Sequence, residues 1–191
     1  MTTISLIAMT LALTATQDSS AAPVRPVPEV DLARYAGRWY EVARLPNRFQ
    51  AKCARETTAD YELLADGQIR VVNACRRGDG GLMRAEGRAR LARRGGPTSE
   101  LKVRFAPAFL SFLPMVWGDY WILDLTADYG AALVGSPSRA YLWILSRTPE
   151  LDDASYQRMV AAAAAQGFDV ARLVRSPGVA GGAASPPVAR R

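Results

Sequence analysis

The chain has 191 residues, 24 Lys and Arg against 18 Asp and Glu, two cysteines and no histidine, so by itself it supplies no Ser-His-Asp or Cys-His nucleophile system, no histidine zinc site and no His-ligated haem. The length fits one domain of about 150 residues with tails, and 49% hydrophobic against 22% charged residues excludes wholesale disorder. The net charge of +6 raises nucleic acid as a partner, but its source is 22 Arg and two Lys scattered along the chain, which reads as a solvated arginine-rich surface and no nucleic-acid footprint.

Met1 to Ala22 carries an apolar run from Ile4 to Ala15, followed by Ser19-Ser20-Ala21-Ala22. A run of about 12 is too short to cross a bilayer as a helix and suits a secretory apolar region with a small-residue cleavage site, although no Lys or Arg precedes it. Residues 1–21 are therefore read as a signal peptide and 22–30 as an N-terminal linker, which makes the mature chain an exported, periplasmic protein. Its first cysteine is Cys53, too far in to serve as a lipid-anchor cysteine.

From Gly37 to Arg147 apolar and polar residues alternate with period two. Trp39 to Leu45 starts the series, and Thr58, Asp60 and Glu62 interleave with Ala59, Tyr61 and Leu63. Asp66-Gly67 is a tight-turn signal before Ile69 to Asn73. Arg84, Glu86, Arg88 and Arg90 alternate with Ala85, Gly87, Ala89 and Leu91, and Leu101, Val103 and Phe105 with Lys102 and Arg104. Tyr120 to Leu125, Ala131 to Gly135 and Tyr141 to Ser146 complete eight strands, whose short turns predict an antiparallel up-and-down barrel or sandwich. The inward set mixes small residues (Ala43, Ala59, Gly87, Ala89) with Tyr61, Phe105, Tyr141 and Trp143. A packed eight-stranded interior prefers bulky aliphatics, so these small residues either leave a cavity or mark places where strands bend. Glu41 is the sole internal carboxylate candidate and is expected to be ion-paired or hydrogen-bonded at the base.

Cys53 and Cys75 bracket a hairpin, and in an exported chain they read as one disulfide; two buried free thiols are the alternative. Ala106 to Trp117 breaks the alternation with a long apolar run. It is either a lid folded on the barrel or an exposed cluster of Phe109, Leu110, Phe112, Leu113, Met115 and Trp117 that meets a membrane or a second copy of the chain, so peripheral membrane contact and a homodimer both stay open. Thr148-Pro149-Glu150 opens a helix over about 151–166, stopped by Gly167, with Tyr156, Met159, Val160 and Ala163 on one face. Ser176 to Arg191 is Gly/Ala/Pro/Ser-rich and reads as a flexible tail after a barrel domain of residues 31–175.

Three segments carry a resemblance. Asp31 to Pro46, with Gly37-Arg38-Trp39, resembles the opening motif of the lipocalins. Thr126-Ala127-Asp128-Tyr129 resembles their middle motif with an altered lead-in, and Tyr141 to Pro149 their last-strand motif ending in Arg147. The order and spacing of the three are similar to the family's, above all to its bacterial outer-membrane and apolipoprotein-D-like branch. The resemblance implies an eight-stranded antiparallel up-and-down β-barrel with one C-terminal helix packed outside, Trp39 plugging the base under Arg147, and Gly37, Asp128 and Tyr129 in structural roles. It also implies a small lipophilic ligand, fatty acid or lysophospholipid, held for lipid storage or transport in envelope maintenance. Cavity-lining candidates are Ala43, Ala59, Tyr61, Val71, Asn73, Gly87, Ala89, Val103, Phe105, Tyr141 and Trp143. No cofactor, metal or catalytic residue is implied. Family relatives that isomerise or de-epoxidise a bound ligand make a lipocalin-fold enzyme the alternative, and an interaction module using residues 106–117 is another.

Overall fold

The computed structural model describes residues 22–177; the expected signal peptide and all but the first two residues of the expected tail lie outside them. Asp31 opens the fold by accepting the backbone N–H groups of Ala33 (2.9 Å) and Arg34 (3.2 Å), which caps the one-turn helix α1 (Leu32–Tyr35). Gly37, at φ +98°, turns the chain from this helix into the first strand, a backbone conformation that a side chain would strain. The strands are β1 (Gly37–Arg44), β2 (Arg55–Leu63), β3 (Ile69–Arg76), β4 (Leu82–Leu91), β5 (Glu100–Arg104), β6 (Gly118–Leu125), β7 (Ala131–Gly135) and β8 (Leu142–Ser146). Each pairs antiparallel with the next, and β1 closes the barrel by pairing with both β8 and β2. The barrel and its eight strands agree with the alternation, within a few residues at each end.

A short ninth strand, β9 (Val174–Arg175), was not legible in the pattern. Pairing of β1 with β2 ends at Tyr40↔Thr58, and β9 takes the vacated edge of β1 at Ala43 and Arg44. The following Ser176 donates its N–H to the Val42 carbonyl at 2.8 Å. These bonds satisfy backbone groups that the splayed β2 leaves unpaired.

The second departure is a bulge. Opposite β8, the register of β1 shifts between Glu41 and Ala43, so Glu41 faces Leu145, Ala43 faces Ile144 and Arg44 faces Trp143. Cross-strand partners share a face, and the extra residue inverts the alternation beyond it. Ala43, expected on the cavity wall, is instead fully buried on the outer face among Ile144, Leu142 and Met159. Arg44 takes the inward place.

Two cores result. The outer one fills the space between the sheet and α2 (Asp153–Ala165), whose N-terminus is capped by Asp152 accepting the Ser155 N–H at 2.9 Å. Met159 and Ala163 are fully buried there, with Tyr156 and Val160 beside them, as the helical periodicity predicted. Burying a Met side chain contributes about 2 kcal/mol. Strand β7 is buried on both faces, with Ala131 and Leu133 under the helix and Ala132 and Val134 inside. The inner core gathers Tyr35, Trp39, Ile122, Val134 and Leu145 at one end of the barrel. Residues 22–30 pack along the molecule: Val24 and Val30 are buried, and Val27 donates its N–H to the Ile122 carbonyl at 2.9 Å.

The candidate ligand cup

The inner core closes the base. Trp39 is fully buried, its indole N–H donating to the Tyr35 carbonyl at 2.8 Å. Arg147 lies 4.0 Å above the indole ring and donates to the carbonyls of Arg34 (2.7 Å), Ala36 (2.9 Å), Arg38 (2.9 Å) and Tyr35 (3.1 Å). One planar fork thus ties α1 to the start of β1 while its charge sits on an aromatic face. A Cβ at Gly37 would stand 3.2 Å from Arg147 Nη1. Tyr129, at φ +62°, accepts the Asp31 N–H at 2.9 Å and has the Arg34 guanidinium 4.0 Å over its ring. Thr126 first, then the Gly130 N–H, hold the Asp128 carboxyl below the usual range. The motif residues are brought together at the base and stay out of the cup.

On the floor sits a group the strand pattern did not single out. Tyr120 Oη lies 2.8 Å from Tyr35 Oη and 2.9 Å from Tyr61 Oη. Burial pushes the Tyr61 phenol up to about 12 and those of Tyr35 and Tyr120 well above their ordinary value. The three hydroxyls share two internal hydrogen bonds, with Tyr120 common to both. Tyr61, a cavity-lining candidate, commits its hydroxyl to this group. Tyr120 was within reach of sequence reasoning, because it alternates with the inward Ile122 on β6.

The register stacks the wall in rows. Ala59, Asn73 and Ala85 form one, and Tyr61, Val71 and Gly87 the next. Ile69, Ala89 and Val103 follow. Ala85 is exposed and Ala59 and Asn73 are half-buried although all three face inward, so the cup is open above them. Asn73 Oδ1 is buried without a hydrogen-bond partner among the described residues. At Gly87 a Cβ would come within 2.8 Å of the Phe105 ring, which is 43% exposed and stands at the rim.

Because β1 starts at the base, the connections β1–β2, β3–β4, β5–β6 and β7–β8 form the mouth. Inside it Tyr141 and Trp143 stack 5.9 Å apart, and Phe49 lies 5.8 Å from Tyr141. Gln50 accepts the Trp143 indole N–H at 2.9 Å and donates to Glu41, which is ion-paired with Arg44 at 2.6 Å. Glu41 is therefore paired as expected, but on the wall toward the mouth and not at the base. Cys53 and Cys75 form the disulfide that ties the β1–β2 connection to β3. Of the apolar run, Phe109, Phe112 and Met115 are 74–87% exposed, while Leu110 and Leu113 are half-buried. Trp117 is not part of the exposed cluster: Arg90 lies 4.2 Å over its ring, and its indole N–H reaches the Ser111 carbonyl at 2.8 Å. Phe49 and Leu82, unsuspected from the pattern, add exposed apolar surface to the same rim. Both thiols are oxidised, and the Glu41 carboxylate is held by three donors, Arg44, Gln50 and Ser176.

Comparison with known proteins places this geometry. A family profile described as a lipocalin-like domain matches residues 30–178. The chain is 43% identical over 150 residues to temperature-induced lipocalin-1 of Arabidopsis thaliana, covering 78% of this chain and 79% of that protein. It is 41% identical over 167 residues to the outer membrane lipoprotein Blc of Escherichia coli, covering 84% and 89%. Apolipoprotein D of Rattus norvegicus is 33% identical over 161 residues, covering 79% of each chain. Insecticyanin from the tobacco hornworm Manduca sexta superposes with a TM-score of 0.63 over 81% of this chain and 84% of that one, at 20% identity, a likeness of fold alone.

Proposed function

Because the chain belongs to the lipocalin family, in its Blc and apolipoprotein D branch, we propose that its barrel carries a single-chain lipid, a fatty acid or a lysophospholipid, for lipid storage or transport in envelope maintenance. The observation that carries this reading is the open cup of small and aromatic inward side chains above a base sealed by Trp39 and Arg147. Burying an acyl chain of about 14 methylenes is worth on the order of 10 kcal/mol gross at roughly 0.8 per CH₂, so micromolar affinity needs no catalytic group. An exported protein of the periplasm, in contact with the outer membrane, suits both the apolar leader and the Blc relative's name. The exposed Phe109, Phe112 and Met115 at the rim would meet the bilayer from which the lipid is collected. Trp143 in the wall supplies the test: adding a single-chain lipid to the delipidated protein quenches or shifts indole fluorescence saturably at micromolar concentration. No response to fatty acid or lysophospholipid would contradict the reading.

A further inference from the structure

The bulge in β1 sets two charged side chains on the inner face of the cup. Glu41 shares its face with Leu145, and Arg44 with Trp143. Taking an ion pair out of water is costly unless every group finds a partner, and the two halves of this pair are satisfied very unequally. The Glu41 carboxylate, 3% exposed, accepts from Arg44, from the Ser176 hydroxyl and from the Gln50 amide, so it is saturated. The Arg44 guanidinium, 16% exposed, uses only Nη1, toward Glu41 at 2.6 Å and Ser176 at 3.2 Å. Its Nε and Nη2 have no partner among the described residues, and neither is sealed from solvent. That Nε–Nη2 edge is the one that receives a carboxylate or a phosphate through two parallel hydrogen bonds.

We propose that Arg44 is the head-group residue of the cup, binding the anionic carboxylate or phosphate of a single-chain lipid through its Nε–Nη2 edge; this rests on the carrier reading above and adds the lipid's orientation to it. Arg44 lies toward the mouth, about five residues along β1 from Trp39, which is roughly 15 Å of strand. An acyl chain whose head is held there runs down over Val71, Ala89 and Val103 toward the tyrosine floor. Gln50, braced by Asn47 at 2.8 Å and by Trp143, and Ser176, delivered by β9, keep Glu41 occupied, so the incoming anion meets the free edge of the guanidinium and does not have to displace the carboxylate.

The experiment compares three lipids of one tail length, below their micellar concentrations, on the delipidated full chain: myristate, myristoyl-lysophosphatidylglycerol and neutral monomyristoylglycerol. Each is titrated into the wild type, Arg44→Gln and the double variant Glu41→Gln/Arg44→Gln, with melting followed by circular dichroism. The double variant keeps two hydrogen-bonding amides and leaves no lone buried charge, so it guards against a single variant that fails to fold. The expected result is a loss of about tenfold or more in affinity for the anionic lipids, the size of one charged hydrogen-bonded contact, with monomyristoylglycerol changed less than twofold. Loss confined to myristate identifies a carboxylate head and loss confined to the lysolipid a phosphate; loss for both assigns the shared anion chemistry. Equal loss for all three lipids, or no loss in a folded double variant, overturns the proposal while leaving the carrier reading intact. A wild type that binds none of the three overturns both.

Discussion

Arg147 makes a fixed-geometry demand that a methylene chain with a point charge cannot meet. Its guanidinium covers the Trp39 ring at 4.0 Å while reaching four carbonyls of the α1–β1 segment. Arg147→Ala removes the cation–π contact and strands those carbonyls, which should cost about 2–4 kcal/mol and lower the melting temperature by about 5–15 °C; unchanged melting contradicts the placement. The tyrosine floor predicts a pH dependence. An unfolded phenol releases its proton near 10, whereas buried Tyr61 holds its own to about 12 and Tyr35 and Tyr120 are raised as well. Above pH 10 the unfolded chain therefore binds fewer protons than the native one, so stability is intact below about 10 and falls as pH rises toward 12. Denaturant midpoints measured from pH 9 to 12 should drop across that window, and a flat profile would show that the three phenols are not buried together.

At the level of elements, the strands and α2 were legible because both obey their period: two for the alternating strands, and 3.6 for Tyr156, Met159, Val160 and Ala163. The base was legible through the resemblance that Gly37, Trp39 and Arg147 carry to the lipocalin motifs. Ala43 was misplaced for a physical reason. Alternation counts residues, and a bulge adds one without leaving a mark in composition, so Ala43 and Arg44 change face while Val42 stays outward. Strand β9 escaped because two residues carry no period, and with it went the delivery of Ser176 to Glu41. The Cys53–Cys75 bridge ties the β1–β2 side of the mouth to β3 across a separation of 22 residues. Replacing both cysteines by serine should cost about 3 kcal/mol on the chain-entropy account and lower melting by about 6–12 °C, while leaving the base contacts unchanged.

On the scale of the whole molecule, the barrel is polarised along its axis. One end is closed by buried aromatics and an arginine fork; the other carries Phe49, Leu82, Phe109, Phe112 and Met115 in exposed positions around the opening. The scattered positive charge of the sequence is largely outward, where Arg38, Arg70 and Arg76 are paired with Asp60, Glu62, Glu86 and Glu56. The membrane contact we propose would run through the apolar rim: Phe109→Ser with Phe112→Ser should abolish co-sedimentation with liposomes, and retention of it would rule the rim out as the contact. The central claim, that the cup carries a single-chain lipid, meets its most direct test in mass spectrometry of organic extracts from the protein purified without detergent. A fatty acid or lysophospholipid recovered at close to one per chain is the predicted result; a chain that emerges empty and takes up neither lipid when both are offered contradicts the account.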